Sequence, residues 1–263
     1  MKLEHITSFI EGLAPKAFQE NYDNSGLILG GYQKEVTRVL VCLDGDMAAL
    51  DQAIAHNCQL LISHHPMLFK AVKILTDDTR AGSLLTKAIK NDIALYSAHT
   101  NFDSASGGLT DCLCRKLGLT NVQVLKKTST LNTNMGWGRF GEVSPISGRQ
   151  WLNDVQEKLS LKGFRWIGDI PSVVKRVAVF NGSYDREILP ELKMLKPDAL
   201  ITGDLKYHDA QELTENEIFT VDAGHYGTEK LFVEEMISLL QKQFPDLILI
   251  GYEGEDIFRY ACP

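Results

Sequence analysis

Cysteine is scarce in this chain and spaced for neither metal nor disulfide chemistry. Its five cysteines, Cys42, Cys58, Cys112, Cys114 and Cys262, contain no CxxC pair and no even set. Neither a zinc knuckle nor a disulfide framework is expected, and reduced thiols fit best. Only 8 prolines accompany a hydrophobic share of 44%, which excludes a disordered chain. Long basic runs are missing, and 27 Lys and Arg against 34 Asp and Glu leave a net charge of −7. That balance argues against a nucleic-acid-binding surface. No uninterrupted apolar segment is long enough to span a bilayer, so no membrane partner is expected. The opening LEHITSFIEGL starts at once as a helix, without a positively charged stretch ahead of an apolar core. No signal peptide is therefore expected, and the location implied is cytoplasmic.

What the chain does have is organised around QLLISHHPMLFK, where the apolar run Leu60, Leu61, Ile62 delivers His64 and His65 just before Pro66. Such a run reads as a strand buried on both faces, and the proline, lacking an N–H, should end it at the histidine pair. In an open α/β sheet the ligand site lies beyond the carboxyl ends of the strands.

Around this stretch strands and helices alternate. Helix 3–13, strand 38–43, helix 47–57, strand 59–63, helix 80–90, strand 93–98 and helix 109–117 give a β-α-β-α rhythm. The fold class is therefore α/β with largely parallel sheets. The middle, 126–172, breaks the rhythm and carries GWGRFGE. Its Gly136, Gly138 and Gly141 spell GxGxxG, but Glu142-Val143-Ser144-Pro145 reads as strand, whereas a dinucleotide fingerprint opens a helix. From 173 the alternation returns: strand 175–180, helix 187–195, strand 199–202, helix 207–215, strand 219–222, helix 228–243 and strand 247–250.

The second run echoes the first. VTRVLVCLDGD recurs as VKRVAVFNGSY at a spacing of 138, LLISHH as ALITGD, and ALYSAHTNFD as FTVDAGHYGTE. This implies two similar α/β halves, 1–125 and 173–263, related by a pseudo-twofold with their strand ends facing one cleft. In each half a histidine leaves a strand end and an acid follows four residues later: His99 with Asp103, His225 with Glu229. Thr228 is read as an N-cap, placing Glu229 in a first helical turn.

Imidazole and carboxylate without thiolate suit Zn, Mn, Fe, Co or Ni. Four histidines and two acids exceed what one tetrahedral ion takes and match a two-ion centre with a bridging carboxylate. His208, in GDLKYHD, lies at the strand end equivalent to the histidine pair and is a candidate proton-transfer group. Asp44 and Asp46 read as an acidic turn.

The motifs DNSGLILG, ISHHPMLF, ALYSAHTNFD, GWGRFGEV, ALITGDLKYHD and GHYGTEK resemble, in order and over nearly the whole chain, the family of GTP cyclohydrolase 1 type 2 homologs, or Ngg-interacting-factor-like proteins. The resemblance implies two intertwined three-layer α/β/α halves, a dinuclear metal centre and a homohexameric toroid. By motif it assigns His64, His65, Asp103, His225 and Glu229 as ligands of two divalent ions, Glu229 bridging, and leaves His99 a proton-transfer role. The short middle segment, 126–172, corresponds to family members without a large inserted domain. The function implied is metal-dependent hydrolysis of a nucleotide-like or heterocyclic small molecule, GTP if the name is right, although the chain has no P-loop to hold a triphosphate. The alternative is a non-enzymatic metal-binding, metal-delivery or regulatory protein.

Overall fold

Strands rich in β-branched and aliphatic residues, many of them followed by a helix, build the computed structural model, which describes residues 1–129 and 134–261. The chain starts with α1 (Leu3–Leu13), β1 (Gly26–Leu29), β2 (Arg38–Asp44), α2 (Met47–Ala55), β3 (Leu60–His65), α3 (Arg80–Lys90), β4 (Ala94–Ser97) and α4 (Thr100–Ser104). It continues with α5 (Leu109–Leu117), β5 (Thr120–Lys127), β6 (Gly136–Ile146), α6 (Gly148–Lys158), β7 (Arg165–Ile167) and β8 (Val174–Ser183). Next come α7 (Leu189–Leu195), β9 (Ala199–Gly203), α8 (Tyr207–Glu215), β10 (Thr220–Asp222) and α9 (His225–Glu229). α10 (Phe232–Gln243) and β11 (Ile248–Tyr252) close the order.

Two compact units result, each from separated stretches: Met1–Phe102 with Phe232–Glu255, and Asp103–Leu231 with Asp256–Pro263. The expected boundaries at 125 and 172 mark changes of pattern along the sequence, and the compact units are drawn differently. The chain leaves the first unit within α4 and returns at α10, whose strand β11 pairs in parallel with β2. Cys262 and residues 130–133, including Asn132 ahead of the glycine motif, lie outside the described residues.

The first unit carries a sheet ordered β1-β4-β3-β2-β11, the second one ordered β5-β6-β8-β9-β10-β7. β2, β3 and β4 are mutually parallel, as are β8, β9 and β10, and an antiparallel strand flanks each trio beyond its third member. Leu60, Leu61 and Ile62 on β3 are fully buried, as the two-faced reading requires, and the strand ends at His65, just before Pro66. Leu40, Leu50, Leu61, Leu84 and Leu95 pack in one core cluster of the first unit; Ala178, Ile188, Leu192, Leu200 and Leu213 do so in the second. Truncating a residue such as Leu61 to Ala would cost about 2–5 kcal/mol.

Local signals hold the helices where the pattern puts them. Asp46 caps α2 by accepting the Ala49 N–H at 2.8 Å, and Gly118 ends α5 in the left-handed region at φ 82°. The helix expected over 228–243 is two helices, α9 and α10. Thr228 caps nothing: the residue ahead of α9 is Gly224, at φ 79°, and Glu229 closes that five-residue helix. The Thr228 hydroxyl instead accepts the Gly182 N–H at 2.9 Å and donates back to the Gly224 and His225 carbonyls. The GxGxxG letters lie wholly within β6, so they are strand and not a dinucleotide fingerprint.

Candidate metal centre

In the first unit the ends of β3 and β4 lie side by side, with Ser63 opposite Ser97 and their hydroxyls 3.1 Å apart. His64 and His65 finish β3, and His99 follows β4. The three ring centroids are 5.1 to 5.6 Å apart, and a ligand-capable atom from each lies within 4.8 Å of the others. His64 is 0% exposed and packs on Phe232, and Phe69 stands edge-on to His99.

Each of these rings is fixed through Nδ1 at 2.8 Å: His64 on the Ala98 carbonyl, His65 on Asp44, His99 on Asp23. A carbonyl only accepts, so His64 donates from Nδ1, and the carboxylate partners of the other two rings favour the same donor nitrogen. An Nδ1 donor set of this kind orients imidazoles for coordination through Nε2. Burial opposes ionisation of Asp23, but hydrogen bonds from His99 and Thr100, the His99 charge and the Asn24 amide outweigh it. They hold its carboxyl well below the usual range.

The second unit gathers oxygen. Asn181, on β8, donates from one amide nitrogen to Asp103 Oδ1 at 2.8 Å and to Glu229 Oε1 at 3.2 Å, while its own oxygen accepts the Thr110 hydroxyl at 2.6 Å. His225 Nδ1 sits 2.8 Å from Asp204, and its Nε2 is 2.9 Å from Glu229 Oε2. Glu229 is only 3% exposed. Its carboxylate lies so close to Gly182, where φ is +66°, that a Cβ there would meet Oε1 at 2.3 Å. A Cβ on Gly203 would meet the Gly182 carbonyl at 2.6 Å and the His225 nitrogen at 2.7 Å. These glycines let the α9 turn close on the strand ends.

The donor set fits divalent metal. Two carboxylates drawn to one amide nitrogen, one of them almost fully buried, make an arrangement that a cation stabilises. His225 Nε2 and Glu229 Oε2, 2.9 Å apart, are a nitrogen and an oxygen that a divalent ion would take as ligands. Imidazole nitrogen with carboxylate oxygen suits borderline ions such as zinc, iron or manganese.

Of the expected residues, His64, His65 and His99 come together in the first unit, and Asp103, His225 and Glu229 share one hydrogen-bonded network in the second. His208 joins neither: it is exposed on the first turn of α8, its ring against Tyr207. Sequence reasoning missed Asp23, Asp204 and Asn181, and read Asp44 only as part of an acidic turn. Each lies at or beside a strand end in a quoted motif, which was the one signal available.

Comparison with known proteins gives the family. The family model described as Duf34/NIF3 (NGG1p interacting factor 3) matches residues 1–253. The chain belongs to the NIF3 family. A Clostridium perfringens relative named GTP cyclohydrolase 1 type 2 homolog is 36% identical, covering 99% of this chain and 100% of its own. A crystal structure of a Bacillus cereus protein related to NIF3 superposes with a TM-score of 0.92 at 23% identity over 99% of both chains, a likeness of fold. Reduced HcgD from Methanocaldococcus jannaschii gives a TM-score of 0.82 at 28% identity, covering 95% of this chain and 97% of that one. The NIF3 fold is thus the frame on which the imidazole and carboxylate groups are mounted. Among the described residues no helix is long and apolar enough to cross a membrane.

Proposed function

We propose that this NIF3-family protein binds two divalent metal ions and uses them to hydrolyse a nucleotide-like or heterocyclic small molecule. His64 and His65 of the first unit and Asp103, His225 and Glu229 of the second would be the ligands. One observation carries the reading: all four histidines at strand ends, His64, His65, His99 and His225, have Nδ1 held at 2.8 Å by a carbonyl or carboxylate. Held through Nδ1, the rings of His64, His65 and His225 keep Nε2 for coordination, and the same hold fixes the His99 ring for proton transfer. When bound, the ions supply Lewis acidity to water and substrate.

The chain's own residues do the rest. Asn181 spaces the two carboxylates, and Gly182 gives Glu229 room. His99, backed by an ionised Asp23, is the group that takes and returns protons. The exposed His208 is the second proton-transfer candidate named from the sequence. Scattered basic groups such as Lys70, Lys206 and Lys230 would meet an anionic substrate. Assembly into a homohexamer in the cytoplasm belongs to the same reading, and light scattering of purified protein tests the ring.

Elemental analysis of freshly purified protein, followed by assay of the metal-loaded protein with GTP for formate and phosphate, tests the function. About two ions per chain with turnover is the expected result. Metal content without turnover across a panel of nucleotides and heterocycles selects the non-enzymatic metal-binding reading. Absence of bound metal rejects both.

A further inference from the structure

The segment GWGRFGE has no place in the chemistry so far, yet it contains the bulkiest side chain among those fully buried, Arg139, 2% exposed. Burying a guanidinium is costly, and an apolar side chain of similar volume is often as stable or more so. The hydrogen bonds of Arg139 point to its use. Nε donates to Asp111 Oδ1 at 2.7 Å, and one terminal nitrogen donates to the Gly136 and Gly138 carbonyls at 2.8 and 2.9 Å. The other donates to the Ser104 and Ala105 carbonyls at 3.2 and 2.8 Å and reaches Asp111 Oδ2 at 3.5 Å. The glycines serve this geometry: Gly138 has φ +61°, and a Cβ there would meet the Val179 carbonyl at 2.9 Å.

Ser104 and Ala105 immediately follow Asp103 at the end of α4, where helix carbonyls have no partner of their own. Arg139 therefore grips the backbone just past the acid. Asp111, its counterion, lies on α5 beside Thr110, whose hydroxyl contacts both the Asp103 carbonyl at 2.9 Å and Asn181 Oδ1. The side chain of Asp103 is held by Asn181, and its backbone by Thr110 and, through the next two residues, by Arg139.

We propose that Arg139 is a positioning residue for metal binding: its buried guanidinium locks the end of α4 so that the Asp103 carboxylate is presented beside Glu229. Lysine cannot replace it, because three donors on a flexible stem do not match five in a planar fork. The inference rests on the metal-binding reading above, and the experiment separates the two.

Divalent-metal affinity is measured by competition with a chromophoric chelator, with Tm recorded alongside, for wild type, Arg139→Lys and Leu213→Ala. The last variant truncates the second unit's core away from this network and sets how much affinity general destabilisation costs. Arg139→Lys should lose about tenfold or more in affinity for at least one ion, while Leu213→Ala at comparable Tm keeps wild-type affinity. Equal affinities in the two variants overturn the positioning role. Should Arg139→Lys fail to fold, Asp111→Asn replaces it under the same criterion, with the same loss expected and unchanged affinity overturning the proposal. Wild-type protein that binds no metal would instead sink the underlying reading.

Discussion

At the carboxyl ends of β2, β3 and β4 the first unit collects nitrogen, whereas at those of β8, β9 and β10 the second collects oxygen. The strand frames repeat. So does the histidine after the third strand, His99 in one and His225 in the other. The change comes at the middle strand, where His64-His65 is replaced by Gly203-Asp204. Loss of a side chain at Gly203 lets the α9 turn pack against the strand ends, and Gly182 opens the space that Glu229 fills. The repeated frame thus carries imidazoles at this strand end in one unit and backbone room in the other. The carboxylate that took the room, Glu229, is only 3% exposed.

That comparison can be broken most directly at Glu229. Glu229→Gln keeps size and hydrogen bonding but removes the charge, and metal affinity should fall by at least about 100-fold with the fold intact by circular dichroism. An unchanged ion content would show that the oxygen-rich side is not a ligand set. Gly182→Ala comes next. A left-handed φ together with a clash at Glu229 Oε1 should destabilise the protein by about 1–3 kcal/mol in denaturant titration and also weaken metal binding. A variant as stable and as metal-rich as wild type would remove the packing explanation.

The orienting carboxylates sharpen the contrast between the units. Asp44→Asn, behind His65, and Asp204→Asn, behind His225, should each cost about tenfold in metal affinity. If only one does, only that unit's imidazole is a ligand. The smallest effect concerns pH. The folded carboxyl of Asp23 is depressed, so its stabilisation is complete above the ordinary aspartate pKa and is lost as pH falls through the lower folded value. Metal-free wild type should lose more Tm than Asp23→Asn between about pH 6 and about pH 3. Parallel Tm profiles would show that the Asp23–His99 pair contributes nothing.

Much of this could be read from the chain. Pro66 ended β3 where expected because proline lacks a ladder donor, and the helices over 80–90, 109–117 and 207–215 match α3, α5 and α8 because apolar spacing sets helix identity. Where reading failed, local chemistry had two outcomes and packing chose one. Thr228 has the composition of an N-cap, but its hydroxyl serves Gly182, 46 residues away in sequence.

The sequence by itself determined the α/β frame, the repeat and which imidazoles and acids stand at strand ends, since these depend on periodicities of a few residues. Tertiary structure alone decided that β11 joins β2, that Asp103 is counted with the second unit, that Asp23 and Asp44 hold histidines of the first unit, and that Asp204, Asn181 and Arg139 hold groups of the second. Those partners lie 21 to 78 positions from the groups they hold, and a hydrogen bond across such a gap leaves no periodic trace in the chain.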